Sequence, residues 1–198
     1  AAGAHEEVDA DRVFFFASGR GAHVAAAAAA SAEPAGVILH APIGSSFAGE
    51  GDEVRAFHLE SFGFHEQFVI QEKFEHLDLV AALEDESYEG EYYQGHSVAA
   101  WQSILDRDLT ASPPALPPTL LVRGDEDFTA PASELNALAA ALEGAGTETT
   151  VEELPGLTRA LSVGTYGGGW PEHGSAEKID DIAVDAIVGW LEGQTGGE

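Results

Sequence analysis

The run Val13-Phe14-Phe15-Phe16, followed by Gly19 and Gly21 and then by the alanine-rich stretch from His23 to Ala32, constrains this chain more than any other feature. Four consecutive apolar residues without alternation are what a strand covered on both faces requires, and such strands belong to parallel sheets. The glycines admit a tight turn. Alanine has the highest helix propensity of any residue, and Pro34 stops the helix because the residue before a proline is driven out of the helical region. Gly36-Val37-Ile38-Leu39-His40 is then a second apolar strand, left through Pro42, Gly44, Ser45 and Ser46. Together these segments make a βαβ crossover.

Further along, Val54, Phe57, Leu59 and Phe62, then Phe68, Val69, Leu77, Val80 and Leu83, recur at helical spacing among many acids, so several helices are expected there. Four prolines between Ser112 and Pro118 break the pattern, and Thr119 to Arg123 is a third strand ending at Gly124. A helix from Ala132 to Glu143, started near Ser133, leads to a fourth strand at Glu148 to Leu154. The last helix spans Ile179 to Leu191, with Ile182, Val184, Ile187 and Val188 on its periodic face. The expected fold is α/β: a three-layer parallel sheet of about four strands, flanking helices and a helical cap insertion. We read residues 1–198 as one domain, divided into a βαβ unit (1–51), the cap (52–111) and the remaining half of the sheet (112–198).

Charge narrows the partners. Eight basic residues against 35 acidic ones give a net charge of −27, and the acids are spread along the chain instead of forming a block. Nucleic acids and anionic membranes are bound through Lys and Arg, so both are excluded as expected partners. An acidic surface with only Lys73 and Lys178 as lysines fits a salt-loving cell, where about 1 M salt shortens the Debye length to about 3 Å. There is no cysteine, which removes disulfide and thiolate chemistry. Val24 to Ala30 is the longest apolar stretch and is too short to cross a bilayer, so a cytoplasmic protein is expected. The chain begins at Ala1 and contains no methionine, and we expect it to be processed, trimmed or part of something longer.

Three segments carry a more specific signal. Asp11 to His23 resembles the nucleophile elbow of α/β-hydrolases, whose pattern is G-x-S-x-G; registering the strand puts Ala17, Gly19 and Gly21 on the G, S and G positions. Pro118 to Pro131 resembles the strand and loop that carry that family's catalytic acid, with Asp127 at the acid position. Glu153 to Leu161 is similar to the segment that delivers the catalytic histidine, and here Arg159 stands in its place. The resemblance implies the latter half of an α/β-hydrolase fold with a degenerate triad. Gly19 has no side chain with which to attack a carbonyl. Arg159 holds its proton to a pKa above about 12 and so cannot shuttle it near neutrality. A guanidinium can instead pair with a carboxylate, and an Asp127–Arg159 ion pair is expected. Without a histidine partner, Asp127 has a plainer role available, as the cap of the helix that follows.

Ser18, His40 and His173 are the candidates to replace the missing groups. Ser18 lies next to the nucleophile position and is read as a turn residue. His40 ends the second strand, on the side where such folds place their sites, and His173 lies in the segment Trp170 to Gly174. His23, His58, His65, His76 and His96 match no motif position. His58, Glu60, His65 and Glu66 do not have metal-ligand spacing, and Gly167-Gly168-Gly169 lacks the lysine and flanking elements of a phosphate loop. No metal and no cofactor is expected.

The resemblance places further strands, and the loop giving the other oxyanion N–H, ahead of the first strand. That strand, Val13 to Phe16, then has an apolar edge that needs covering, by a second copy of the chain, another protein or upstream residues. The expected function is a catalytically degenerate binding or structural module. The alternative is an active serine-type hydrolase of ester, thioester or peptide bonds with non-standard catalytic residues.

Overall fold

A computed structural model describes residues 8–49, 54–93, 96–164 and 178–196. Strands β1 (Phe14–Ser18), β2 (Gly36–His40), β5 (Thr119–Gly124) and β6 (Thr149–Leu154) form one sheet in the order β1-β2-β5-β6, all parallel. Helices α1 (Gly21–Ala32) and α5 (Ala132–Gly144) cover one face and α6 (Asp181–Gln194) the other. Between β2 and β5 lie α2 (Val54–Ser61), α3 (Glu66–Glu84), the hairpin of β3 (Tyr92–Tyr93) and β4 (His96–Ser97), and α4 (Val98–Ile104). The three-layer parallel architecture read from the sequence is the one the chain adopts.

Position in the sheet explains the unalternating strands. Every residue of β2 and of β5 is buried, because both strands have a neighbour on each side and a helix layer on each face. Val37, Leu39 and Leu121 pack against α1 and α5, while Ile38, Leu120 and Val122 pack against α6. Small alanines at 22, 25, 26 and 29 let α1 lie close to the sheet. The described sheet ends at β1, where Phe14 meets Trp190 of α6 edge-on at 5.9 Å and Phe16 remains 58% exposed.

Several boundaries differ from the sequence reading. β1 runs two residues past Phe16, because its ladder with β2 continues to the pair Ser18↔His40. Ser18 is therefore a strand residue, not a turn residue. α1 starts at Gly21, its first turn opened by the Ala22 N–H donating to the Gly19 carbonyl at 3.2 Å. α5 does begin at Ala132, as read, one residue before Ser133, but it follows Pro131 with no side-chain cap and runs on to Gly144. The two-residue hairpin was not foreseen. α6 starts at Asp181, where Asp180 accepts from the Ile182 N–H at 3.0 Å.

The cap has its own small core of Phe47, Val80, Leu83, Trp101 and Leu105. Phe47 stacks at a tilt on Trp101, 4.4 Å between centroids, and its carbonyl oxygen is 2.9 Å from His76 Nε2. Among the described residues no helix is long and apolar enough to cross a membrane.

Candidate functional site

The C-terminal ends of the parallel strands meet at one rim, and α2 lies over it; open parallel sheets place ligands at such a rim. Gly19 follows β1 and has φ +56°, a left-handed conformation that glycine adopts without strain. Its N–H donates to the His40 carbonyl at 2.9 Å, so the turn is tied to the end of β2. This is the strand–turn–helix geometry of an elbow.

Two more segments come together through a close backbone approach. A Cβ on Gly124, at the end of β5, would lie 1.9 Å from the Leu157 carbonyl oxygen. Only glycine permits the segment after β6 to cross there. The Glu126 N–H donates to that same carbonyl at 3.0 Å, and the Gly156 N–H donates to Asp125 Oδ1 at 2.6 Å. Arg159 is thereby delivered beside the loop that holds Asp127.

Asp127 is 1% exposed. Its Oδ1 accepts from the Thr129 N–H at 2.7 Å and the Thr129 hydroxyl at 2.6 Å. This turn precedes α5, so Asp127 holds its own loop and does not cap the helix. Oδ2 has no hydrogen-bond partner among the described residues and faces Arg159 Nη1 at 3.8 Å. The Asp127–Arg159 ion pair thus exists, at contact distance. Arg159 Nη1 also donates to the Thr129 hydroxyl, and Nη2 lies 3.5 Å from Ser18 Oγ. A Cβ placed on Gly19 would be 2.7 Å from Nη2. The guanidinium therefore fills the space above the elbow where a side chain at position 19 would stand.

Of the substitutes, Ser18 and His40 are brought together. Ser18 Oγ is 3.1 Å from His40 Nδ1, since the two end paired strands in register. Phe16 stacks on the His40 ring at 6.1 Å. Burial pushes the His40 pKa below its ordinary 6.5, and the charge of Arg159 adds to this; Asp127 and a weak backbone interaction with Arg159 oppose it. Among the described residues no group meets Nε2 in hydrogen-bonding geometry, and this atom is buried. His173 lies outside the described residues, as do Gly167-Gly168-Gly169. His65 is used locally, its Nδ1 accepting from the Gln67 N–H at the start of α3.

Sequence reasoning missed two arginines and an acid. Arg20, the residue after Gly19, places its guanidinium over the rings of Phe47 (4.8 Å) and Trp101 (5.5 Å), which joins the elbow to the cap core. Desolvation lowers its pKa to about 10, against the favourable charge of Glu134, so it stays cationic at neutral pH. Arg55, on α2, is paired with Glu72 on α3. Glu134 is buried in the first turn of α5 and accepts from the N–H groups of Gly44 and Ser45, each at 3.1 Å. Arg20 was legible as the residue following the elbow glycine. Arg55 and Glu134 had no such marker.

The fold recurs in solved structures. A fungal esterase from Rhizomucor miehei superposes with a TM-score of 0.53 at 20% identity, covering 98% of this chain and 55% of that one. An esterase of the bacterial hormone-sensitive lipase family gives 0.51 at 17%, covering 95% and 55%. An α/β-hydrolase enzyme from the metagenome of Lake Arreo, Spain, gives 0.51 at 19%, covering 96% and 52%. The chain has the α/β-hydrolase fold and spans about half the length of these structures. No protein-family model and no curated protein matches it.

Proposed function

We propose that this α/β-hydrolase-like chain is catalytically degenerate and acts as a binding or structural module in a salt-rich cell. The observation that carries the reading is the pairing of Gly19 with Arg159. The turn keeps the left-handed φ of an elbow, while the space above it holds a guanidinium instead of a nucleophile and its base. Asp127, which could steady a histidine, is engaged with Thr129 and faces Arg159. The high negative charge supports the salt-rich setting, and the partly exposed edge strand β1 supports a partner chain or second copy along Phe14–Ser18.

This reading is tested by p-nitrophenyl acetate, p-nitrophenyl butyrate and an acyl thioester in molar KCl. The parent and Ser18→Ala are both expected to match the rate of buffer alone. Turnover by the parent that disappears in Ser18→Ala would end it.

A second reading is favoured by the Ser18–His40 hydrogen bond. A neutral, depressed His40 is the right form for a general base, and Ser18 is exposed to solvent. For Ser18 to give its proton to Nδ1, the ring must keep a proton on Nε2, a buried atom that meets no acceptor in good geometry among the described residues, the Arg159 backbone offering the ring only a weak interaction. That weakly supported proton is why the dyad ranks second.

A further inference from the structure

Lys73 and Lys178 are the only lysines among the eight basic residues, which leaves six arginines. Three of these, Arg20, Arg55 and Arg159, line a single cavity of about 460 Å³ together with His58. The cavity lies between the rim of the sheet and α2. None of the described residues lining it is acidic, in a chain where 35 of 198 residues are. Such a concentration of cations is opposite to the rest of the surface.

The carboxylates that balance these cations stand behind them. Asp127 is 1% exposed and Glu134 7%, while Glu72 holds Arg55 from α3. They lower the cost of gathering three guanidiniums, and none of them is among the described residues that line the cavity. A second feature points the same way. α1 begins at the rim with no side-chain cap and no acid in its first turn, so no group of its own first turn neutralises its partial positive end. The remainder of the lining is largely apolar, with Ile43, Phe47, Val54 and Leu59.

We propose that this cavity binds a small organic oxyanion with an apolar body, a carboxylate or a phosphate ester. The headgroup rests on Arg159 and Arg55, and the apolar part lies against Ile43, Val54 and Leu59. The guanidinium fork suits both kinds of oxyanion, and the volume falls within the range of small-molecule sites. The inference rests on the reading that Arg159 is a binding group where a catalytic one would stand.

Titration calorimetry on the full chain at about 1 M KCl, where surface repulsion is screened, tests this with hexanoate, hexyl phosphate, inorganic phosphate and hexanol. At least one of the two alkyl anions is expected to bind tenfold or more tighter than hexanol, and the preferred one identifies the headgroup; hexyl phosphate is expected to exceed inorganic phosphate. Arg55→Gln and Arg159→Gln are each expected to weaken the preferred anion by about tenfold or more with unchanged far-ultraviolet dichroism. Arg159 also fastens two loops, so if its variant unfolds, Arg55→Gln decides alone, because the ion pair of Arg55 among the described residues joins α2 to α3 and no rim loop. Hexanol binding as tightly as both alkyl anions, no binding of either anion by the folded parent, or unchanged affinity in Arg55→Gln would overturn the proposal. Ester turnover is a separate readout: turnover defeats the degenerate reading whether or not anions bind, whereas no turnover and no anion binding defeats only this inference.

Discussion

Two buried acids hold loops at the rim, Glu134 behind the end of β2 and Asp127 behind the end of β5, and they are satisfied to different degrees. A single oxygen of Glu134, Oε2, takes the two backbone N–H groups of Gly44 and Ser45, and its charge also favours cationic Arg20. Asp127 has two bonds on one oxygen, both from Thr129, and its other oxygen has only a guanidinium at 3.8 Å. The first acid joins elements far apart in sequence. The second mostly joins a loop to itself. Buried polar groups are ordinarily paired, so the half-used Asp127 is the less satisfied of the two acids.

If that contrast is correct, removing Glu134 is the more damaging change. Glu134→Ala takes a charged acceptor from two N–H groups in a buried or half-buried setting, and each such bond is worth about 1.5–3 kcal/mol. We expect a loss of about 3 kcal/mol in urea unfolding at molar salt. Asp127→Asn keeps an acceptor for Thr129 and puts either an amide donor or a neutral oxygen before Arg159, and about 1 kcal/mol is expected. Should Asp127→Asn cost as much as Glu134→Ala, the two loops are equally structural and the contrast fails.

Gly19→Ser probes the same difference from the elbow. The new Cβ would crowd the far end of a flexible arginine, so Arg159 swings away and loses Thr129 and Asp127, at about 1 kcal/mol or less in stability. No ester turnover is expected, because a serine placed there still has no histidine at position 159. Measurable turnover by Gly19→Ser that vanishes in Gly19→Ser/His40→Gln would show that His40 can serve this position as well as Ser18.

What the sequence showed and what it hid follow from range of interaction. β2 and β5 were read within a residue because they lie mid-sheet, where burial on both faces produces unbroken apolar runs. β1 was ended too early because its last two residues, Ala17 and Ser18, are small and owe their strand conformation to pairing with Leu39 and His40. That error also hid the Ser18–His40 contact, which is a matter of register between strands 22 residues apart. Asp127 and Arg159 were found because each lies in a local segment with a recognisable pattern. Arg55 and Glu134 reach the rim only through the placement of whole helices, which no local pattern records.

A buried histidine also lies near each loop, His23 on α1 beside the Ile43–Ser45 backbone and His40 at the end of β2 near Asp127 and Arg159, and the pair gives the smallest and most selective test. His23 is lowered from 6.5 by burial and then by Arg20, with the backbone of Ser45 and Ile43 and the charge of Asp108 opposing; His40 is lowered by burial and then by Arg159, with Asp127 and the Arg159 backbone opposing. A histidine depressed in the folded state binds fewer protons there than when unfolded, so stability rises with pH across that interval. The contribution is therefore complete above the ordinary value of 6.5 and is lost as pH falls from there toward the depressed values. This window lies above the main carboxylate titration, and urea midpoints taken through it should decline. His40→Gln and His23→Gln should each remove part of the slope. Because the charge of Arg159 acts on His40 and that of Arg20 on His23, Arg159→Gln should reduce the slope in the parent and in His23→Gln but leave that of His40→Gln unchanged. A fall in the slope of His40→Gln on losing Arg159 would mean that the two loops are electrostatically one unit.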